Sequence, residues 1–323
     1  MFRRTLALAA IFAAAVTGSA SAADMPVKAA KVKAPETPYF LVNENSLSYH
    51  YEFTATNPGA GYTPKHVGTF SHFDVWAYGT NFINVDWLKA TSQATPASPC
   101  PIDGAGCSGY SEIYAFLRST LGWNQLTKSN MFSIGPLKNI SYAVGVDVNT
   151  DNTFLASAKR SVQAGLQFDF ATPFNGNLSL SGFAYKEWQN DGFGVRFGTN
   201  PTGNVDFDTT WGFGANYTQP LGFLPAYIPL TYKAIVGMHG PKGTGEPLGA
   251  GTARTTEIFT QQTLDLDVGK IVTGKPNMFA VWVGYRWWKN KFGLEDAPVG
   301  APTTQGLQFT TESTWLVGST WAF

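Results

Sequence analysis

From Asn45 to the last residue, apolar and polar side chains alternate with a period of two. The plainest stretch is the end of the chain, where Leu307, Phe309, Trp315, Val317, Trp321 and Phe323 fall on odd positions, and Gln308, Thr310, Glu312, Thr314 and Gly318 on even ones. Leu316 breaks the rule on the apolar side, and Ser313 and Ser319 break it on the polar side. The same alternation recurs over Leu47 to Thr54, Val144 to Asn149, Val162 to Phe170, Asp206 to Tyr217 and Phe279 to Trp287. In a strand, successive side chains point to opposite faces, so one parity can meet lipid while the other meets a lumen. Segments of this kind begin near Asn45, His66, Asn81, Ser111, Leu137, Arg160, Asn177, Val205, Pro229, Glu257, Asn277 and Gln308. Each is about ten residues, the length a tilted strand needs to cross a bilayer.

The pattern predicts an all-β fold, a twelve-stranded antiparallel transmembrane β-barrel over 45–323 with short periplasmic turns and longer extracellular loops. Composition supports a lipid-facing wall over a soluble β-sandwich. Charged residues are 14% of the chain and aromatics 15%, and Gly numbers 34. A soluble sandwich presents one strand face to water and fills it with charge, whereas here the polar parity is mostly Ser, Thr, Asn, Gln, Asp and Gly.

An even strand count brings both termini to one side, which is the periplasm for a chain exported through a leader. Residues 1–22 read as that leader: Arg3 and Arg4, an apolar stretch from Leu6 to Val16, Gly18, and the small residues Ala20-Ser21-Ala22. The apolar stretch is too short to span a membrane. Removal after Ala22 leaves a small excess of acids, no footprint for nucleic acid. Residues 23–44, with Lys28, Lys31 and Lys33 among Ala, Val and Pro, read as a periplasmic linker.

Pro173-Phe174-Asn175-Gly176 is a short turn, and Ser92 to Gly109, Gln189 to Asn204, Gly240 to Thr256 and Asn290 to Thr304 are long connections. Their alternation between sides is imperfect, which points to one or two miscounted strands, with Gly122 to Gly135 the suspect connection. Cys100 and Cys107 lie in a Pro- and Gly-rich loop where an oxidising compartment favours a disulfide. Two thiols with no nearby His make an incomplete zinc set, and neither a metal nor a cofactor is expected.

The inward parity of strand four is Glu112, Tyr114, Phe116 and Arg118. Strand two is expected to add His66, Phe70, His72, Asp74 and Trp76, strand three Phe82, Asn84 and Asp86, strand one His50 and Glu52, and strand eleven Arg286. Three of four histidines would line the lumen, with the direction of His239 open. Phe183 and Tyr185 of strand seven could face either way. Beside any solute role stands a plain one, since a small barrel fills its interior with polar and ionic pairs because buried polar groups need partners.

Four stretches resemble the nucleoside-specific channel-forming proteins of the outer membrane, the Tsx-like barrels. They are FDVWAYGTNFINVDWL (Phe73 to Leu88), SEIYAFLRSTLGWNQLTKSNMFSIG (Ser111 to Gly135), AYKEWQN (Ala184 to Asn190) and the ending STWLVGSTWAF. The likeness covers most of the mature chain, and the cysteine pair departs from it. It implies a monomeric twelve-stranded barrel that lets nucleosides diffuse passively. Its partners would be outer-membrane lipid, lipopolysaccharide and small solutes.

On that reading Phe70, Phe82, Tyr114 and Phe116 stack bases, a contact that tolerates different bases. Glu52, Asp86, Glu112 and Arg118 contact sugar hydroxyls or pair with one another. The rival readings are a general small-solute porin, a structural or adhesive barrel plugged by paired side chains, and a barrel hydrolase. A hydrolase would need Ser, His and an orienting Asn or Asp converging near the rim; His72 and Asp74 are neighbours, but no nucleophile signature accompanies them.

Overall fold

The structure, a computed structural model, describes residues 39–91, 108–154, 156–245, 254–296 and 309–323. Twelve long strands run through it: β1 (Phe40–Glu52), β2 (Lys65–Trp76), β3 (Gly79–Ala90), β4 (Ser111–Gly122), β5 (Leu137–Asp151), β6 (Arg160–Thr172), β7 (Gly176–Asn190), β8 (Thr210–Pro220), β9 (Leu230–His239), β10 (Glu257–Asp267), β11 (Phe279–Lys289) and β12 (Glu312–Ala322). Each pairs antiparallel with the next, and β12 returns to β1 with Tyr51 opposite Val317, which closes the sheet into a barrel. Closure removes the unpaired edges that a membrane would not tolerate. No helix among the described residues is long and apolar enough to cross a membrane.

Both ends of the described barrel, Tyr39 and Phe323, lie at one rim, where the backbones of Asn45 and Phe323 exchange hydrogen bonds. We call this the terminal end. Its connections are compact: Ala77 and Tyr78 between β2 and β3, the turn Pro173–Asn175, and the one-turn helices α1 (Trp123–Thr127) and α3 (Val268–Thr273). In the Pro173–Asn175 turn Phe174 and Asn175 take left-handed φ values of 55° and 61°.

The opposite rim, the loop end, carries all four connections that the sequence marks as long. It also carries a two-residue hairpin (Thr56–Asn57 with Gly61–Tyr62), the one-turn helix α2 (Gly192–Phe197) and a short strand, Asn204–Asp206, beside β7. Among the described residues the barrel wall therefore has twelve long strands, and the suspected miscount does not occur. The stretch from Gly122 to Gly135 is long because it folds α1 at the terminal end. The first strand begins at Phe40, inside the expected linker. The leader, the rest of the linker and both Cys100 and Cys107 lie outside the described residues.

Exposure follows the predicted parity on most strands. Val144, Val146, Val148, Val162, Val281, Val283 and Val317 form an outward aliphatic band. Aromatics border it on both sides: Tyr142, Phe279, Trp321 and Phe323 toward the terminal end, and Phe53, Trp87, Trp211 and Trp315 toward the loop end. An apolar band between two aromatic girdles is the outer surface a bilayer requires, because amphipathic rings settle at the headgroup level.

Candidate functional site

The inward faces decide what the barrel can hold. Residues directly opposite in a ladder share a face, so inward direction propagates from strand to strand. Glu52 pairs with Lys65, Asp86 with Tyr114, Phe116 with Asp147, Gln163 with Tyr185, His239 with Glu257, and Arg286 with Thr314. Of the residues expected inside, Glu52, Phe82, Asn84, Asp86, Glu112, Tyr114, Phe116, Arg118 and Arg286 do face the lumen. Phe183, Tyr185 and His239 join them.

Strand β2 corrects the expectation. Phe70 pairs with Leu47, His66 with Tyr51, His72 with Asn45, and Asp74 with Asn43, all on the outer surface. Phe70, His72 and Asp74 therefore face away from the lumen, as do His66 and Trp76. Lys65, Val67, Thr69, Ser71 and Phe73 point inward instead. The outward polar groups are stable there because they satisfy one another. His72 lies 2.9 Å from Asn45 Oδ1 and 3.2 Å from Asp74 Oδ2; Asn81 donates to Asp74 Oδ1 at 2.9 Å, and Ser119 donates to Asn81 at 2.7 Å. His66 meets the Tyr49 hydroxyl at 2.6 Å.

At the loop end the lumen is filled by charge pairs. Glu52, Glu112, Glu187, Glu257 and Glu312 come from β1, β4, β7, β10 and β12. Arg286 Nη1 lies 2.6 Å from Glu52 and 3.5 Å from Glu312, and Lys291 Nζ lies 2.7 Å from Glu312. Lys242 Nζ lies 2.6 Å from Glu187, which also accepts from the Tyr185 hydroxyl at 2.6 Å. Tyr110 and Asn149 both donate to Glu112. His239 stacks on Tyr185 with ring centroids 4.1 Å apart.

Lys242 and Lys291 belong to the connections after β9 and β11, not to the wall, so they fasten loop to barrel. Burial pulls the Lys242 ammonium below the usual lysine range, and the Glu187 charge opposes that shift. Connection residues Ala55, Ala60, Thr63, Val205, Phe207 and Thr310 are buried around these pairs. The Phe207 ring lies beneath Lys242 at 5.0 Å and Arg254 at 5.5 Å. Among the described residues this layer is a packed plug. A buried pair of this kind contributes little net stability, but removing one partner strands the other.

Toward the terminal end the lumen opens. A cavity of about 380 Å³ is bounded by residues that include Phe73, Phe82, Ser71, Lys233, Asp265 and Thr320. An aromatic stripe climbs from it along β2 to β4. Phe73 opposes Phe82; Phe82 and Phe116 are 5.7 Å apart by ring centroid, and Tyr114 and Phe116 are 5.9 Å apart. The Arg118 guanidinium sits 4.9 Å over the Phe116 ring and 2.7 Å from Asp147. Asp86 accepts from Thr69 at 2.6 Å and Asn84 at 2.9 Å. The wall made by β8 and β9 is polar and accessible, with Asn216, Thr218 and Lys233 exposed to the lumen.

Phe73, Lys233 and Asp265 were not singled out in the sequence. Glu187 stands inside a quoted motif without a role, and its shared odd parity with Phe183, Tyr185 and Gln189 is the signal that would have found it.

No family model matches the chain, and no curated protein matches it. Among solved structures it is similar to an outer membrane channel from Pseudomonas putida F1 (10% identity, TM-score 0.46, covering 91% of this chain and 100% of that one). It is also similar to the outer membrane protein opdK from Pseudomonas aeruginosa (10% identity, TM-score 0.27, 87% and 98%). A third is OccAB1 from Acinetobacter baumannii (8% identity, TM-score 0.28, 87% and 95%). The closure of the barrel stands on its own strand pairing, independent of these likenesses.

Proposed function

We propose that this protein is an outer-membrane channel for passive diffusion of small polar solutes that carry a planar ring, nucleosides among them. The observation that carries the reading is the open half of the lumen, where the stripe Phe73, Phe82, Phe116 and Tyr114 faces a polar wall. Rings stack on such a stripe while hydroxyls and amides bond opposite, and each contact is weak enough to release the solute. The outer girdles support a bilayer setting, and the short connections at the terminal end support a periplasmic position for both termini. His72 and Asp74, the pair a barrel hydrolase would use, point away from the lumen.

A structural barrel is the second reading, favoured by the plug at the loop end. Planar-bilayer recording separates the two. A channel gives discrete conductance steps that added adenosine lowers in a saturable way, and Phe116→Ala weakens that block. A structural barrel gives no steps. Steps that adenosine leaves unchanged would reduce the function to a general porin.

A further inference from the structure

The cavity at the terminal end has two walls of different chemistry. On one, Phe73 and Phe82 are direct cross-strand partners of β2 and β3, and both line the space. Neighbouring rings on one sheet face make an apolar platform for a flat group. On the other, Lys233 of β9 and Asp265 of β10 meet at 2.7 Å. The Lys233 side chain is 51% exposed and that of Asp265 10%. Thr263 donates its hydroxyl to the second Asp265 oxygen at 2.5 Å.

Each carboxylate oxygen thus has one partner and a spare lone pair, and the ammonium keeps two further N–H groups. The pair offers a donor beside an acceptor at the edge of the cavity. A solute edge with an acceptor beside a donor answers both at once. A free anion would gain Lys233 but meet Asp265, and Glu44, which also lines the cavity, adds to that repulsion. A free cation would have to displace Lys233 from its partner. The volume falls within the range of small-molecule pockets, near its lower limit.

We infer that this cavity is a docking subsite for neutral planar rings whose edge sets a carbonyl beside an N–H, the pattern of aromatic carboxamides and lactams. The ring lies on Phe73 and Phe82, its carbonyl accepts from Lys233, and its N–H donates to Asp265. The inference rests on the channel reading only for the statement that a docked solute then passes through.

Calorimetric titration of the detergent-solubilised full chain tests the subsite without requiring conductance. Benzamide and N,N-dimethylbenzamide are the probes, since they share a ring and a carbonyl and differ in the N–H. Benzamide is expected to bind about tenfold more tightly, a difference of about 1.4 kcal/mol. Asp265→Ala should erase that difference, whereas Phe73→Ala should weaken both probes alike. If Asp265→Ala does not fold, judged by migration on a cold detergent gel, the paired variant Lys233→Met/Asp265→Leu replaces it and should erase the difference too.

Absent benzamide binding, equal affinity for the two amides, or a difference that survives loss of Asp265 would overturn the subsite. Bilayer recording of the same preparation keeps the two readings apart. Conductance without benzamide binding leaves the channel and removes the subsite, and binding without conductance does the reverse.

Discussion

Lys242 Nζ lies 2.6 Å from Glu187 Oε2, and the two side chains are 2% and 1% exposed. The lysine belongs to the connection after β9 and the glutamate to β7, so this contact ties a loop to the wall two strands away. The tie is reinforced where Asp208 donates its backbone N–H to the Lys242 carbonyl at 3.0 Å. Lys242→Met leaves Glu187 with the Tyr185 hydroxyl, the Gln189 amide and a distant Lys159 at 3.8 Å. The expected cost is about 3 kcal/mol, the lower end for stranding one member of a buried pair. Urea unfolding of the barrel in vesicles measures it. The loosened loop should also raise single-channel conductance, and a variant as stable and as closed as the parent would refute the latch.

Arg118 bonds Asp147, whose side chain is 3% exposed, and covers Phe116. Arg118→Leu should cost about 3 kcal/mol by leaving that carboxylate with Ser161 as its remaining short contact, at 3.0 Å. The double variant Arg118→Leu/Asp147→Leu should recover most of the loss, because neither charge is then stranded. A double variant no better than the single one would show that the pair is not the source of the effect.

The Phe183 ring lies against Gly212, where an added Cβ would stand 2.0 Å from its nearest carbon. Gly212→Ala must therefore push the ring into the lumen. We expect a loss of about 1–3 kcal/mol, as for overpacking elsewhere, together with a narrower pore. Reduced conductance from Gly212→Ala that Gly212→Ala/Phe183→Ala restores would be the signature; an unchanged conductance in Gly212→Ala contradicts it.

The direction of β2 is open to chemical labelling. In a background of Cys100→Ser/Cys107→Ser, Phe73→Cys should react with a small water-soluble maleimide in folded vesicle-bound protein. Phe70→Cys should resist it, because its side chain shares the lipid face with Leu47. Reversed reactivity would show that the strand is turned over.

The sequence by itself determined that the chain forms strands and which parity of most of them faces outward, while its count of twelve stood in question until the ladder closed. The reason is local: side chains alternate every residue, so a lipid-facing strand carries its own record, and Val144, Val146 and Val148 or Trp315 and Val317 can be assigned without a neighbour. That record also put Glu52, Glu112, Tyr114, Phe116, Arg118 and Arg286 inside the lumen.

It failed on β2 because KHVGTFSHFDVW is mixed on both parities, with Val67 and Phe73 beside Lys65 and Ser71 on one, and Phe70 and Trp76 beside His66, His72 and Asp74 on the other. There the direction is set by pairing with β1, where Leu47 against Phe70 fixes every other residue in the ladder. The plug and the cavity were beyond sequence for a related reason. Lys242 meets Glu187 across 55 positions of chain, and Arg286 meets Glu52 across 234. Such contacts exist only once twelve strands have closed on themselves, and only that closure sets Lys233 and Asp265 across from Phe73 and Phe82.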